Sequence, residues 1–218
     1  MTNTKRFPVV DSTYIEDING QSRFGYGIRE WLDLNDAKEI FNNEGYFIGM
    51  TLRFFDFVSG ETFEPFPVTR NIAYGNVVFH DELFYFLQAD FGTNVINLIS
   101  YYPDQETNVV TTLDMNVMDL DKLKIIGNGV HVVNQKEDFF CYYPESFALQ
   151  LEDEETVVMM DEDKLYINQW IEEEIDTGDD FPKYNYYDKL VIKNFVGESL
   201  SEEIGYLQQH KDGKWWLS

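Results

Sequence analysis

A single cysteine, Cys141, stands in the 218-residue chain, so no disulfide can form within it. One lone thiol fits a reducing compartment, and a cytoplasmic protein is the expectation. No apolar run approaches the ~18–20 residues that a membrane-crossing helix needs. The opening residues carry Lys5 and Arg6 with no apolar segment behind them, so they do not read as a secretory signal. Histidines number three, and His80, His131 and His210 are widely spaced. Each reads as a surface or strand histidine more readily than as a general base or zinc ligand. A paired-cysteine metal signature, a glycine-rich phosphate loop and a Gly-x-Ser-x-Gly elbow are all missing. Gly25-x-Gly27 lacks the third glycine of a dinucleotide fingerprint. Cys141, between Phe140 and Tyr142, reads as a buried apolar position and not a nucleophile.

Positive charge is the other scarcity. Sixteen Lys and Arg stand against forty Asp and Glu, for a net charge of −24. All five arginines (Arg6, Arg23, Arg29, Arg53, Arg70) lie in the first third. From Glu145 to Asp180 there are fourteen carboxylates and only Lys164 to offset them. Such a field repels nucleic acid and anionic membrane surfaces, and it attracts basic partners or cations.

What is present suffices for a core. Apolar residues make up 44% and aromatics 17%, which separates this chain from a disordered acidic one. One domain over 1–218 is expected, with N-terminal strands and a short helix in 1–70 and repeated meander units in 76–218. The clearest stretch runs from Asn76 to Leu113. Four short runs rich in Val, Ile, Phe, Tyr and Thr alternate there with turn clusters, the pattern of an antiparallel meander.

Two markers suggest that this unit recurs. Asp81-Glu82-Leu83 is matched by Asp121-Lys122-Leu123, Asp163-Lys164-Leu165 and Asp188-Lys189-Leu190. Tyr101-Tyr102-Pro103-Asp104 is matched by Tyr142-Tyr143-Pro144-Glu145, and more loosely by the segment from Pro182 to Tyr187. A spacing near ~40 residues for the first three copies is the length of a four-stranded propeller blade. The expectation is an all-β fold of repeated antiparallel meanders, a small propeller-like ring of four or five units, with a two-sheet sandwich as the alternative. Leu83, Leu123 and Leu165 should then start equivalent strands and be buried.

Upstream, Asn19-Gly20 predicts a hairpin turn. Leu34, Ala37, Ile40 and Phe41 share one helical face, with Asp36 as a cap and Gly45 as the stop. Asp33, Asn35 and Glu44 fall at ligand places of a calcium loop, but Lys38 occupies the place that requires glycine, so that match fails. Tyr46 to Val58 reads as the longest apolar strand. Pro65 and Pro67 make its return arm an edge strand. Downstream, Leu165 to Gln169 reads as strand, and Glu172 to Pro182 as an acidic loop. The final strands are expected at 189–195, 204–209 and 215–217.

The carboxylates supply the candidate sites. Asp161 and Asp163, at a turn, gather hard oxygen ligands that suit calcium. Glu172, Glu173, Glu174, Asp176, Asp179 and Asp180 would form the outermost contacts to a basic protein partner. Trp31, Trp170, Trp215 and Trp216 read as packing, or as platforms for sugar or peptide. No catalytic set emerges, so a non-catalytic interaction protein ranks first. An acidic inhibitor of the immunity or nucleic-acid-mimicking type ranks second, and a carbohydrate-active enzyme with a carboxylate pair third.

Overall fold

The computed structural model describes residues 5–8, 11, 13–30, 32–126, 128–136, 138–175 and 183–218. Strands take up 54% of it and helix 7%, so the all-β expectation holds. The chain divides into two compact units: Met1–Ile125 with Lys211–Gly213, and Ile126–His210 with Lys214–Ser218.

The first unit holds two antiparallel meanders. Strands β1 (Glu16–Asp17), β2 (Phe24–Arg29), β3 (Thr51–Asp56) and β4 (Thr62–Phe63) pair in chain order. So do β5 (Ile72–His80), β6 (Leu83–Asp90), β7 (Val95–Tyr101) and β8 (Asn108–Asp114). All six residues of β3 are buried, because aromatic rings cover it. Phe54 packs 5.0 Å from Phe84 and 5.3 Å from Tyr101, centroid to centroid, and Phe24 lies 5.5 Å from Phe84. Arg53, one residue from Phe54 and so on the opposite face of β3, is buried beside the Phe55 ring, 6.0 Å from its centroid. Its guanidinium donates to Asp11 at 2.8 Å and to Glu64 at 2.6 Å, which supplies the partners that a buried charge requires. The turn Lys211–Gly213 counts with this unit: the Gly20 amide donates to the Lys211 carbonyl at 3.0 Å, and the Lys211 ammonium pairs with Asp17.

Helix α1 (Leu34–Glu44) buries Leu34 and Ala37. Its cap is Asp33, whose carboxylate accepts from the Asp36 amide at 2.8 Å; Asp36 itself falls in the first turn. The helix stops at Gly45 as expected. At φ +75° the glycine adopts the left-handed conformation that costs it nothing, and its amide donates to the Phe41 carbonyl.

Strands β9 (Lys124–Ile126), β10 (His131–Gln135), β11 (Asp138–Tyr143) and β12 (Phe147–Gln150) form a third meander; the unit boundary falls within β9, and β10 to β12 belong to the second unit. Strands β13 (Glu155–Asp161), β14 (Lys164–Ile175), β15 (Lys183–Asn194) and β16 (Ser199–Ile204) form the fourth. The hairpin β17 (Leu207–Gln209) and β18 (Trp215–Leu217) completes the unit. One core joins Val133, Phe139 and Leu149 to Val157, Leu165 and Val191. On the opposite face of the fourth sheet, Asn168 docks the final hairpin. Its carboxamide donates to the Leu207 carbonyl at 2.8 Å and accepts from the Leu207 amide at 2.9 Å, as a strand neighbour would.

The meander therefore recurs, but the propeller is not closed. Among the described residues there are five sheets rather than the two of a sandwich, and the strands run from two residues in β1 and β4 to twelve in β14 and β15. Blades of one ring need matching dimensions. The Asp-x-Leu markers do not mark equivalent strands either. Asp81 and Glu82 form the two-residue turn between β5 and β6, both with positive φ, and Leu83 is the first residue past it, paired with His80 and half-buried. In the β13–β14 hairpin the turn is Glu162-Asp163, so Lys164 takes that place and Leu165 falls one residue further, in the core. One residue of slip exchanges the two faces of a strand. Leu123 is buried just ahead of β9, and Asp188 to Leu190 lie inside β15. The tyrosine markers are better placed: Tyr101 ends β7 and Tyr143 ends β11, each the third strand of its meander.

Candidate functional site

Strands β14 and β15 pair residue for residue from Lys164 opposite Asn194 to Ile175 opposite Lys183. Their inner halves are buried at Leu165, Ile167, Leu190 and Val191. Their outer halves project as a two-stranded ribbon, with Glu172 to Ile175 and Lys183 to Tyr186 all exposed. The segment from Glu172 to Ile175, expected as loop, is thus strand. Its carboxylates gave no core signal, but the Tyr-rich partner strand supplies the cross-strand contacts that hold it.

Register divides the ribbon into two faces. Side chains alternate, so Trp170, Glu172 and Glu174 share a face with Tyr184, Tyr186 and Asp188. On it Trp170 and Tyr186 stack with centroids 5.4 Å apart and planes 15° apart, and Tyr184 continues the row 6.2 Å from Tyr186. These rings are 41%, 54% and 41% exposed for Trp170, Tyr186 and Tyr184, far more than core aromatics would be. Glu172 lies directly opposite Tyr186 and Glu174 opposite Tyr184. The other face carries Glu173, which accepts a 2.7 Å hydrogen bond from the Tyr187 hydroxyl. That bond to a carboxylate pushes the Tyr187 phenol above its ordinary pKa.

The structure brings together Glu172 and Glu174 of the expected acidic contacts and turns Glu173 away from them. Asp176, Asp179 and Asp180 lie outside the described residues, as does Trp31. Asp161 ends β13 and Asp163 lies in the exposed β13–β14 turn, and the Asp161 carboxylate accepts from the Asn128 carboxamide at 3.4 Å. Among the described residues no group of three or more His, Cys, Asp or Glu converges as a metal site. His80 closes β5 with its Nε2 3.4 Å from Asp81, His131 lies in β10, and the His210 amide donates to the Lys214 carbonyl. Burial pushes the Cys141 thiol up to about 11, so it stays protonated at neutral pH.

Sequence reasoning passed over Tyr184 and Tyr186. Tyr-x-Tyr against Trp-x-Glu-x-Glu is a period-two pattern in both arms, and reading the two segments as a pair would have revealed it. A second group was also missed, inside a concave cleft of about 920 Å³ lined by β12, the residues after it, and the β15–β16 turn. Two of its polar side chains, Gln169 and Lys193, are more than nine-tenths buried. The Lys193 ammonium lies 2.7 and 2.9 Å from the two carboxylate oxygens of buried Glu155, and that carboxylate also accepts from the Glu152 amide at 2.9 Å. Among the described residues no helix is long and apolar enough to cross a membrane.

No protein-family model, no curated protein and no solved structure matches this chain.

Proposed function

We propose that this protein is a non-catalytic binding protein whose β14–β15 ribbon grips a basic polypeptide segment of a partner, in keeping with a reducing cytoplasmic setting. The observation that carries the reading is the exposed row Trp170–Tyr186–Tyr184 with Glu172 and Glu174 directly across from the tyrosines. An aromatic face attracts a guanidinium or ammonium through its ring quadrupole, and the contact strengthens when water is excluded. A carboxylate one strand away then supplies the counter-charge, so arginine or lysine meets ring and anion together. The surrounding field of the net −24 chain speeds such an encounter and rejects anionic partners. Large exposed rings on a projecting ribbon otherwise carry a solubility penalty without return.

The test is titration of the protein with a capped Arg-Gly-Arg-Gly-Arg peptide and its Glu counterpart, read by fluorescence and repeated at several salt concentrations. The Arg peptide should bind and the Glu peptide should not. W170A/Y186A and E172Q/E174Q should each weaken binding at least tenfold, and affinity should fall as salt rises. Arg-peptide binding that ignores both variants overturns the reading, and so does binding of neutral glycans at the ribbon with no response to the peptides.

A further inference from the structure

We infer that the cleft beside β12 is a second binding site, one that takes an extended peptide by adding it as a strand to the β12 edge. Strand β12 is the edge of its sheet, paired with β11 alone. The cleft runs along four consecutive residues there, Ala148 to Leu151. An unpaired edge presents a row of backbone donors and acceptors, and an extended chain is the ligand that matches them. The volume of about 920 Å³ is in the range of ligand clefts and accommodates several residues.

The floor carries the independent observation. Gln169 is 8% exposed and lines the cleft, yet its carboxamide makes no hydrogen bond to any described residue. Its neighbour Asn168, on the opposite face of the same strand, shows what a partnered amide does in this fold: it holds both backbone groups of Leu207. The amide is not among the fully buried polar groups that lack a partner, so it opens onto the cleft itself, where a ligand with its own donor and acceptor can reach it. A peptide bond has both. The cleft's charges select further. Lys193 is neutralised by Glu155, while Glu152 and Asp153 line the cleft as carboxylates, so the balance is negative and disfavours anionic ligands. Across the cleft the β15–β16 turn touches β12 itself. Gly197 turns there at φ +89°, and a Cβ on it would lie 2.8 Å from Leu149 Cδ1. The occupant is therefore an extended, neutral or basic peptide. The site stands apart from the ribbon, because Gln169 and Trp170 lie on opposite faces of β14.

The experiment is selection of a phage library of random heptapeptides against the full chain. The enriched peptide is then synthesised in capped form and titrated by two-dimensional NMR. Its addition should shift the Gln169 side-chain amide and the Ala148 to Leu151 backbone amides. Q169L should weaken binding at least tenfold while leaving the melting temperature unchanged or higher, a combination that a structural role for Gln169 would not give. N-methylation of alternate peptide bonds should abolish binding. The inference is overturned if no peptide is enriched, if enriched peptides ignore both Q169L and N-methylation, or if their binding is lost in W170A/Y186A and not in Q169L, which assigns them to the ribbon.

Discussion

Trp170 and Tyr186 stack diagonally across the β14–β15 ribbon, 5.4 Å between centroids, although the register partner of Tyr186 is Glu172 and that of Trp170 is Asp188. The stack is the main side-chain contact of a ribbon that has no core beneath it. Cross-strand aromatic pairs contribute ~0.5–1.5 kcal/mol beyond their buried area. Much of the ribbon's order therefore depends on this one contact.

Y186A should accordingly loosen the ribbon locally. Backbone amides of residues 171–175 and 183–187 should exchange with solvent several-fold faster, while those of Leu165, Ile167 and Val191 keep their protection. Equal acceleration in both halves of the hairpin would show that the ribbon is not a separate stability unit.

The slip between the hairpin turns sets the cost of the marker leucines. Leu165 is fully buried in the second-unit core, so L165A should cost ~2–5 kcal/mol in denaturant unfolding. Leu83 is only half-buried, and L83A should cost ~1 kcal/mol or less. In the β5–β6 hairpin the position that corresponds to Leu165 is Phe84, which has no exposure at all, and F84A should cost ~3–5 kcal/mol. Equal costs at Leu83 and Leu165 would restore the marker repeat that the register rejects.

The meander architecture was legible because turn residues and β-branched runs alternate on the scale of single strands: 76–113 was read as four strands, and β5 to β8 are there. What was not legible depends on pairing across distance. Asp163 opens the same tripeptide as Asp81 but sits one place later in its turn, and no local propensity reports that slip. Glu172 to Glu174 read as loop because the tyrosines that stabilise them come ten to fourteen residues later. Strand β16, Ser-Leu-Ser-Glu-Glu-Ile, is exposed throughout and gave no alternation to detect. Gln169 and Lys193 are polar residues in strands whose burial is set by which sheet covers them, a fact of packing alone.

Lys193 and Glu155 form a buried ion pair within the second unit, with side-chain exposures of 7% and 1%. Removing one partner leaves an uncompensated buried charge, so K193M should cost ~3–5 kcal/mol. Replacing both, as K193M/E155M, should recover most of that loss, because two apolar chains of similar volume need no counter-charge. A double variant as unstable as the single one would mean that the remaining contact of Glu155, to the Glu152 amide, matters more than the pair.

At net −24 the folded chain repels itself, and added salt should raise its melting temperature by screening. Calcium chloride should act as sodium chloride does at equal ionic strength, since the described residues bring no three ligating side chains together. A calcium-specific rise that disappears in D161N/D163N would instead assign a cation site to the β13–β14 turn.

Acid should act in two opposed stages. Asp56 is fully buried, and the Arg23 guanidinium beside it, donating at 2.7 and 3.0 Å, holds its carboxyl down to about 2. The amides of Val58 and Ser59 donate to its other oxygen and act in the same direction. Asp11 is held low as well, by the Thr13 hydroxyl and by Arg53. In the unfolded chain an aspartate takes up its proton near pH ~4. Between about 4 and about 2 the unfolded state therefore binds protons that the native state refuses, and stability falls as pH falls. Above pH ~4 this contribution is fully present. Acidification from pH 7 first lowers the magnitude of the net charge of −24 and relieves self-repulsion, so stability should first rise and reach a maximum near pH ~5. D56N separates the stages, since asparagine cannot offer Arg23 an ionised partner. The stability gap between wild type and D56N should hold steady from pH 7 to about 4 and close as pH approaches 2. A gap that stayed constant down to pH 2 would mean that the Arg23–Asp56 pair contributes through shape rather than charge.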